Sequence, residues 1–262
     1  MRYSAVVTTR LFSTFLAISS AGLASDQAFE ITGIPAGWEQ ALPVANALVL
    51  DNPQKTSIRA FPSAPVFPFP ANIGETSGNR NPLENPVSEY LMKYAQSPAI
   101  ELEIQWTNGD RSPERFIRSV DFAKNLTSST HRIGTTTYIR TTVYSDRDKA
   151  FLIHFRADQP GALNLSARIT TLGRATIQNR RQILWQSPDS ETKARVWVIP
   201  FESEVSHTGD AISIPGEGEA LLILNTDGSD TLKSLGDRYD PGRQPPNPSL
   251  VWHGIVDDQP ES

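Results

Sequence analysis

The feature that most constrains the fold of this chain is a series of strand-like segments between Arg115 and Thr170. Their residues alternate between apolar and polar, or are rich in the Thr, Tyr, Ile and Val that favour a pleated, half-buried surface. The four segments are Arg115–Asp121, Thr136–Tyr144, Ala150–Ala157 and Leu163–Thr170. Short polar breaks and turn residues separate them. Period two over consecutive segments predicts an antiparallel meander.

The rest of the chain adds strands to this meander. Alternation or short apolar runs predict five more: Ile100–Trp106, Ile183–Ser187, Ala194–Phe201, Ala211–Ile214 and Ala220–Leu224. Residues 51–85 are rich in proline and predict an irregular segment. Pro86–Gln96 has a first-turn proline and one apolar face, which predicts a short helix. About ten strands and one helix indicate an all-β fold, a large antiparallel β-sandwich.

The two ends of the chain differ from the sandwich, which we predict to span residues 28–228. Arg2 and Arg10 precede an apolar run, and the run is followed by small residues up to Ala24. This is the pattern of a signal peptide over residues 1–24, with cleavage after Ala24. The alternative, a membrane anchor, is disfavoured because the run is shorter than the ~20 residues of a spanning helix. The sequence thus predicts export to the periplasm or outside the cell, with no membrane span in the mature chain. Prolines mark residues 229–262 as a C-terminal tail.

Composition argues against several classes of function. The chain has a formal net charge of −5. A nucleic-acid-binding protein usually has an excess of positive charge on one face, so this charge argues against that class. There is no cysteine, and the four histidines (His131, His154, His207 and His253) form no close ligand pair, so we predict no metal site and no cofactor. Nucleophile elbows, phosphate-binding loops and dinucleotide fingerprints are missing from the sequence.

Two kinds of residue could bind or process sugars. Glu101 and Glu103 share one side of a strand, but that side is opposite the apolar residues, so we predict a solvated strand face and no catalytic residue. Exposed tryptophans can stack on sugar rings. Trp38, Trp185 and Trp197 are the candidates, whereas Trp106 continues an apolar strand face and is predicted to lie in the core.

Several segments together resemble the N-terminal domain of glycoside hydrolase family 95, the α-L-fucosidase family. They keep the family's order and spacing over roughly residues 36–228, and they are Trp38–Val44, Arg115–Asp121, Tyr138–Arg140, Val143–Ser145, Ala157–Leu163 and Gly218–Leu224. The resemblance implies a super-sandwich like those that precede helical-barrel glycosidases. One departure is Ala45-Asn46-Ala47, which stands where the family has Gly-Asn-Gly.

The resemblance implies no catalytic residue in this chain. In family 95 the catalytic groups belong to a helical barrel that follows this domain, and no position here matches them. The leading expectation is therefore a non-catalytic, carbohydrate-associated module that binds a glycan. The alternatives are a glycosidase component that acts with a separately encoded catalytic domain, and a structural or interaction protein.

Overall fold

The computed structural model describes residues 28–64, 93, 99–106, 113–243 and 245–258. The predicted signal peptide with cleavage after Ala24 lies outside these residues. So do most of the predicted irregular segment and the predicted helix Pro86–Gln96, except for Lys93.

Two antiparallel sheets make up the described structure, which confirms the β-sandwich. The larger sheet contains, in spatial order, β1 (Ala28–Thr32), β6 (Phe116–Asp121), β7 (Leu126–Ile133), β8 (Thr136–Ser145), β9 (Ala150–Ala157), β16 (Glu219–Asn225), β13 (Lys193–Pro200), β12 (Gln182–Gln186) and β11 (Arg174–Gln178). The smaller sheet contains β14 (Ser206–Thr208), β15 (Ala211–Glu217), β10 (Leu163–Ile169), β5 (Ile100–Trp106), β4 (Lys55–Ala60), β3 (Ala47–Asn52) and β2 (Leu42–Val44). Their facing sides enclose the main core.

The meander between Arg115 and Thr170 forms as predicted, with one strand that the sequence pattern did not reveal. Strands β6, β8, β9 and β10 match the four predicted segments. Between the first two lies β7, which pairs with both β6 and β8. Its sequence, LTSSTHRI, has Thr127, Ser129 and His131 on the buried side. Apolar alternation is missing from this strand because its buried side is polar.

Part of the predicted irregular segment 51–85 is regular, and this prediction was wrong for residues 51–60. Strands β3 and β4 pair from Ala47↔Ala60 to Asn52↔Lys55. A tight turn at Ala45 and Asn46 joins β2 to β3. Ala45 makes it with φ of 49°, a left-handed conformation that costs a non-glycine residue about 1–2 kcal/mol. The turn is therefore made with alanine in a conformation that glycine adopts at lower cost.

The predicted tail 229–262 contains two helices, which corrects the sequence-based prediction. Helix α1 (Thr231–Tyr239) and helix α2 (Pro248–Asp257) pack on the outer side of the larger sheet. The Asn247 side chain caps α2 by accepting hydrogen bonds from the N–H groups of Ser249 and Leu250. Pro248, which favoured a tail when the sequence was read alone, occupies the first turn of α2, where proline is tolerated.

The core between the sheets includes a buried ion pair. The Arg140 Nε donates to Asp51 Oδ2 at 2.9 Å, and the two residues are 0% and 1% exposed. The Thr56 hydroxyl donates to the other carboxylate oxygen of Asp51. The Arg140 Nη1 donates to Thr142 Oγ1 at 3.0 Å. Because both charges are out of water, each depends on the other for its stabilisation.

His131 lies beside this pair, stacked on Tyr138 with ring centroids 5.2 Å apart. It is 2% exposed, and neither of its ring nitrogens has a hydrogen-bond partner. Burial lowers the pKa of His131 from 6.5 to about 4, although the nearby Asp51 carboxylate raises it. The imidazole is therefore neutral at pH 7.

We expect His131 to make the fold sensitive to acid. The unfolded chain binds this proton near pH 6.5 and the folded chain only near pH 4, so stability falls between these values as the pH drops. This difference in pKa corresponds to a loss of about 3 kcal/mol in the free energy of unfolding at pH below 4. Urea unfolding from pH 7 to pH 4 measures it, with His131→Phe for comparison. If wild type and variant lose stability equally over that range, His131 is not the cause.

Candidate functional site

The outer side of the smaller sheet has a continuous polar face, contributed by three neighbouring strands. We call this the polar face: Lys55 and Arg59 of β4, Glu101, Glu103 and Gln105 of β5, and Arg168 of β10. Because successive strand residues alternate sides, the intervening Ile100, Leu102 and Ile104 point into the core. Strand register places opposite charges directly across from each other, at Arg59↔Glu101 and Arg168↔Glu103.

Glu103 is the centre of the polar face. Its carboxylate accepts from Arg168 Nη2 at 2.7 Å, from Lys55 Nζ at 3.1 Å and from Gln105 Nε2 at 3.1 Å. Burial raises the pKa of Glu103, but the hydrogen bonds from Arg168 and Lys55 outweigh it, and the pKa is lowered overall. The predicted solvated position is wrong for this residue, which is 8% exposed. Its cationic neighbours cover it.

One end of the polar face contains Trp38. The Arg59 Nη2 donates to Glu101 Oε2 at 2.9 Å, and the same guanidinium lies 4.0 Å from the centre of the Trp38 ring. This is a cation–π contact, worth about 0.5–1 kcal/mol at an exposed position. The half-buried indole begins a short 3₁₀ turn, Trp38–Gln40. The ion pair and the indole thus hold Arg59 in one position.

Trp185 is connected to the polar face through Thr171, which follows β10. The Thr171 hydroxyl accepts from the Glu101 N–H at 2.6 Å, and the Trp185 Nε1–H donates to the Thr171 carbonyl at 3.2 Å. A Cβ at Gly173 would lie 2.3 Å from Trp185 Nε1, so only glycine permits this packing. Trp185 is 4% exposed and belongs to the core. The open stacking face expected of a sugar-binding tryptophan is absent at this position.

A groove of about 650 Å³ opens beside Thr171 and continues the polar face, since Arg168 belongs to both. We call it the rim groove: residues 168–175 with Trp185 and Asp210. Arg174 and Asp210 are exposed, and neither makes an ion pair within the described part of the chain. Leu172, 82% exposed, separates the rim groove from a second groove of about 400 Å³ that reaches Pro188.

The third candidate, Trp197, lies on the opposite side of the sandwich. It is half-buried on the outer side of β13, beside the apolar cluster under helices α1 and α2. In that cluster Trp252 of α2 stacks on His154, with ring centroids 4.5 Å apart, and His154 Nε2 lies 2.6 Å from Glu219 Oε1. Of the three candidates, Trp38 therefore lies on the polar face, Trp185 is buried in the core and reaches the rim groove, and Trp197 lies apart from both.

Sequence patterns did not single out Arg59, Arg168, Arg174 or Asp210. Arg59 lies in the segment predicted to be irregular, so its place on a strand was hidden. Arg168 had a usable signal: in predicted strand Leu163–Thr170 it alternates with the apolar Ala167 and Ile169. Its cross-strand partner Glu103 could not be known without the pairing of β10 with β5.

Across the described ranges, no three His, Asp or Glu side chains are grouped so that they could hold a metal ion. Neither described helix has the length and apolar character needed to cross a membrane.

Comparison with known proteins gives matches among solved structures. No family model and no curated protein matches the chain. Among solved structures, a protein assigned as a kojibiose phosphorylase from the human microbiome aligns with a TM-score of 0.29 and 9% identity. The alignment covers 63% of this chain and 27% of that one, so this chain spans about a quarter of its neighbour's length. At this similarity no activity is transferred from that protein.

Proposed function

We propose that this chain is an exported, non-catalytic carbohydrate-binding module, related to the N-terminal domains of family 95 glycoside hydrolases, and that a glycan binds across the polar face and the rim groove. The proposal rests on one observation: guanidinium and carboxylate groups of the polar face are held in fixed positions beside the Trp38 ring. Arg59, Glu101, Glu103 and Arg168 are each held by at least one ion pair. Export rests on the N-terminal sequence pattern.

Such a surface suits sugars for two reasons. Carboxylates accept and guanidinium groups donate hydrogen bonds to hydroxyls, and their mutual ion pairs fix them before a ligand arrives, which lowers the entropic cost of binding. Trp38 supplies apolar surface at the same end, against which the C–H face of a sugar ring can pack. The rim groove extends the surface, so several linked sugar units fit along it.

The state of the carboxylates favours binding over hydrolysis. A glycosidase needs a general acid whose pKa is raised, so that it holds a proton near neutral pH. The pKa of Glu103 is lowered, because Arg168 and Lys55 stabilise its anion. Glu101 is paired with Arg59. Both carboxylates of the polar face therefore accept hydrogen bonds from cationic side chains.

Glycan-array binding of residues 25–262, followed by calorimetry on the best ligand, tests the proposal. Trp38→Ala should weaken binding by about 10- to 30-fold, which corresponds to about 1.5–2 kcal/mol lost with one aromatic anchor. Trp197→Phe is the matched control and should bind as wild type does, because it lies across the sandwich. An aryl-fucoside assay should show no turnover.

Three results would contradict the proposal: no glycan bound by the wild-type chain, equal binding by the Trp38 and Trp197 variants, or hydrolysis by the purified chain. Circular dichroism of each variant is needed alongside, since Trp38 also packs against the buried cluster that contains Leu42 and Phe61 and its loss must not be confused with unfolding.

A further inference from the structure

The polar layer between the two sheets has more positive charge than its described partners neutralise. Arg118, Ser129 and Arg140 face one another across β6, β7 and β8, on the side that faces the smaller sheet. Arg118 is 2% exposed and Arg140 0%. Asp51 is the carboxylate that acts on both guanidinium groups. Arginine stays protonated in proteins, so one carboxylate balances two buried cations.

Both arginines also have hydrogen-bond donors to spare. Arg118 Nη1 donates to the Gln40 carbonyl at 2.6 Å, while its Nε has no partner. Arg140 uses Nε and Nη1 on Asp51, Ser129 and Thr142, while its Nη2 has no partner. A buried N–H without a partner is unfavourable, and more so when the group is charged. The native protein is expected to supply an acceptor at this place.

Strand β7 adds more unpaired groups between the two arginines. Thr127 Oγ1 and both ring nitrogens of His131 are buried and without partners. These residues lie two positions on either side of Ser129, on the same side of the strand. With neighbouring strands about 4.8 Å apart, Arg118 and Arg140 are about 10 Å apart at the backbone, and their long side chains can reach a common point over β7.

We propose that this layer binds a small monovalent anion of the halide class, held by Arg118, Thr127 and Arg140, with His131 at its edge. The free Arg118 Nε and Arg140 Nη2 can only donate, and the Thr127 hydroxyl can donate as well, so the set suits an anion. The enclosed position between the sheets favours a single-atom anion over phosphate or sulfate. Water could satisfy the donors, but it would leave the excess positive charge unbalanced. This site is separate from the polar face and does not depend on glycan binding.

The direct test is anomalous diffraction from crystals of the full chain soaked in sodium bromide. We expect a bromide peak within hydrogen-bonding distance of Arg118 Nε and Arg140 Nη2. A water molecule at that position, or no density there, would overturn the proposal. This measurement uses the unaltered protein, so it stands even if a variant fails to fold.

A solution test uses charge-matched variants. The melting temperature of the wild-type chain should rise with chloride concentration when chloride replaces gluconate at constant ionic strength. Arg118→Met should abolish this rise, whereas Arg132→Met should retain it. Replacing Arg132 changes the net charge by the same amount as replacing Arg118. Arg132 is exposed on β7, so its side chain is not part of the buried layer. An identical chloride response in wild type and Arg118→Met would refute the site.

Discussion

Replacing Asp51 by asparagine is expected to destabilise the folded chain by about 3–5 kcal/mol, the usual result of removing one partner of a buried ion pair. The variant keeps the size and shape of the side chain and removes only its charge. Arg140, 0% exposed, then remains ionised with no carboxylate beside it. Chemical unfolding followed by tryptophan fluorescence measures the loss as a shift in midpoint at constant slope.

A partly exposed ion pair provides the matched control. Glu101→Gln removes the partner of Arg59, where the two side chains are 27% and 30% exposed. Solvent screens this pair, so the expected loss is below about 1 kcal/mol. The double change Asp51→Asn with Arg140→Met should recover part of the stability, since it removes the stranded charge. Equal losses for Asp51→Asn and Glu101→Gln would show that burial of the first pair has no energetic consequence.

Trp252→Ala is expected to cost about 3–5 kcal/mol of the free energy that docks helices α1 and α2. Trp252 is 8% exposed and stacks on His154 of β9, with Leu235 and Ile255 in the same cluster. Removing the indole leaves a cavity between α2 and the larger sheet. Hydrogen exchange should then show lost protection in residues 231–257, while the strands of the sandwich keep theirs.

Leu250→Ala is the control for this experiment. Leu250 is two residues away on α2 and 49% exposed, so its loss should change docking by less than about 1 kcal/mol. If both variants leave the helices fully protected, α1 and α2 are held by contacts other than the Trp252 cluster. The ion pair of Arg238 with Asp148, at 2.6 Å, would then be the next contact to remove.

Local sequence pattern was sufficient to predict the strands that have one apolar and one polar side. Ile100–Trp106 was predicted to the residue, because alternation reports directly which side of a strand faces the core. The same reasoning placed Trp106 in the core, where it is 4% exposed. All-β class and sandwich architecture follow from adding such strands.

The same pattern failed where burial is polar or where proline has a capping role. Strand β7 has Thr127, Ser129 and His131 on its buried side, so no apolar period marks it. The tail prediction counted prolines as breakers, although Pro248 begins a helix whose apolar side docks on the sheet. In both cases a partner distant in sequence makes the local choice favourable.

Sequence alone therefore determined the class of fold and most of its strands, since these depend on residues two positions apart. The tertiary structure alone decided the surfaces. Trp38, Arg59, Glu101 and Thr171 come together because β4 and β5 pair and Thr171 bonds to the Glu101 N–H. The buried Trp185 is tied to them through the Thr171 carbonyl. Contacts between residues 14 to 70 positions apart depend on how strands pair, and no local period in the sequence encodes that pairing.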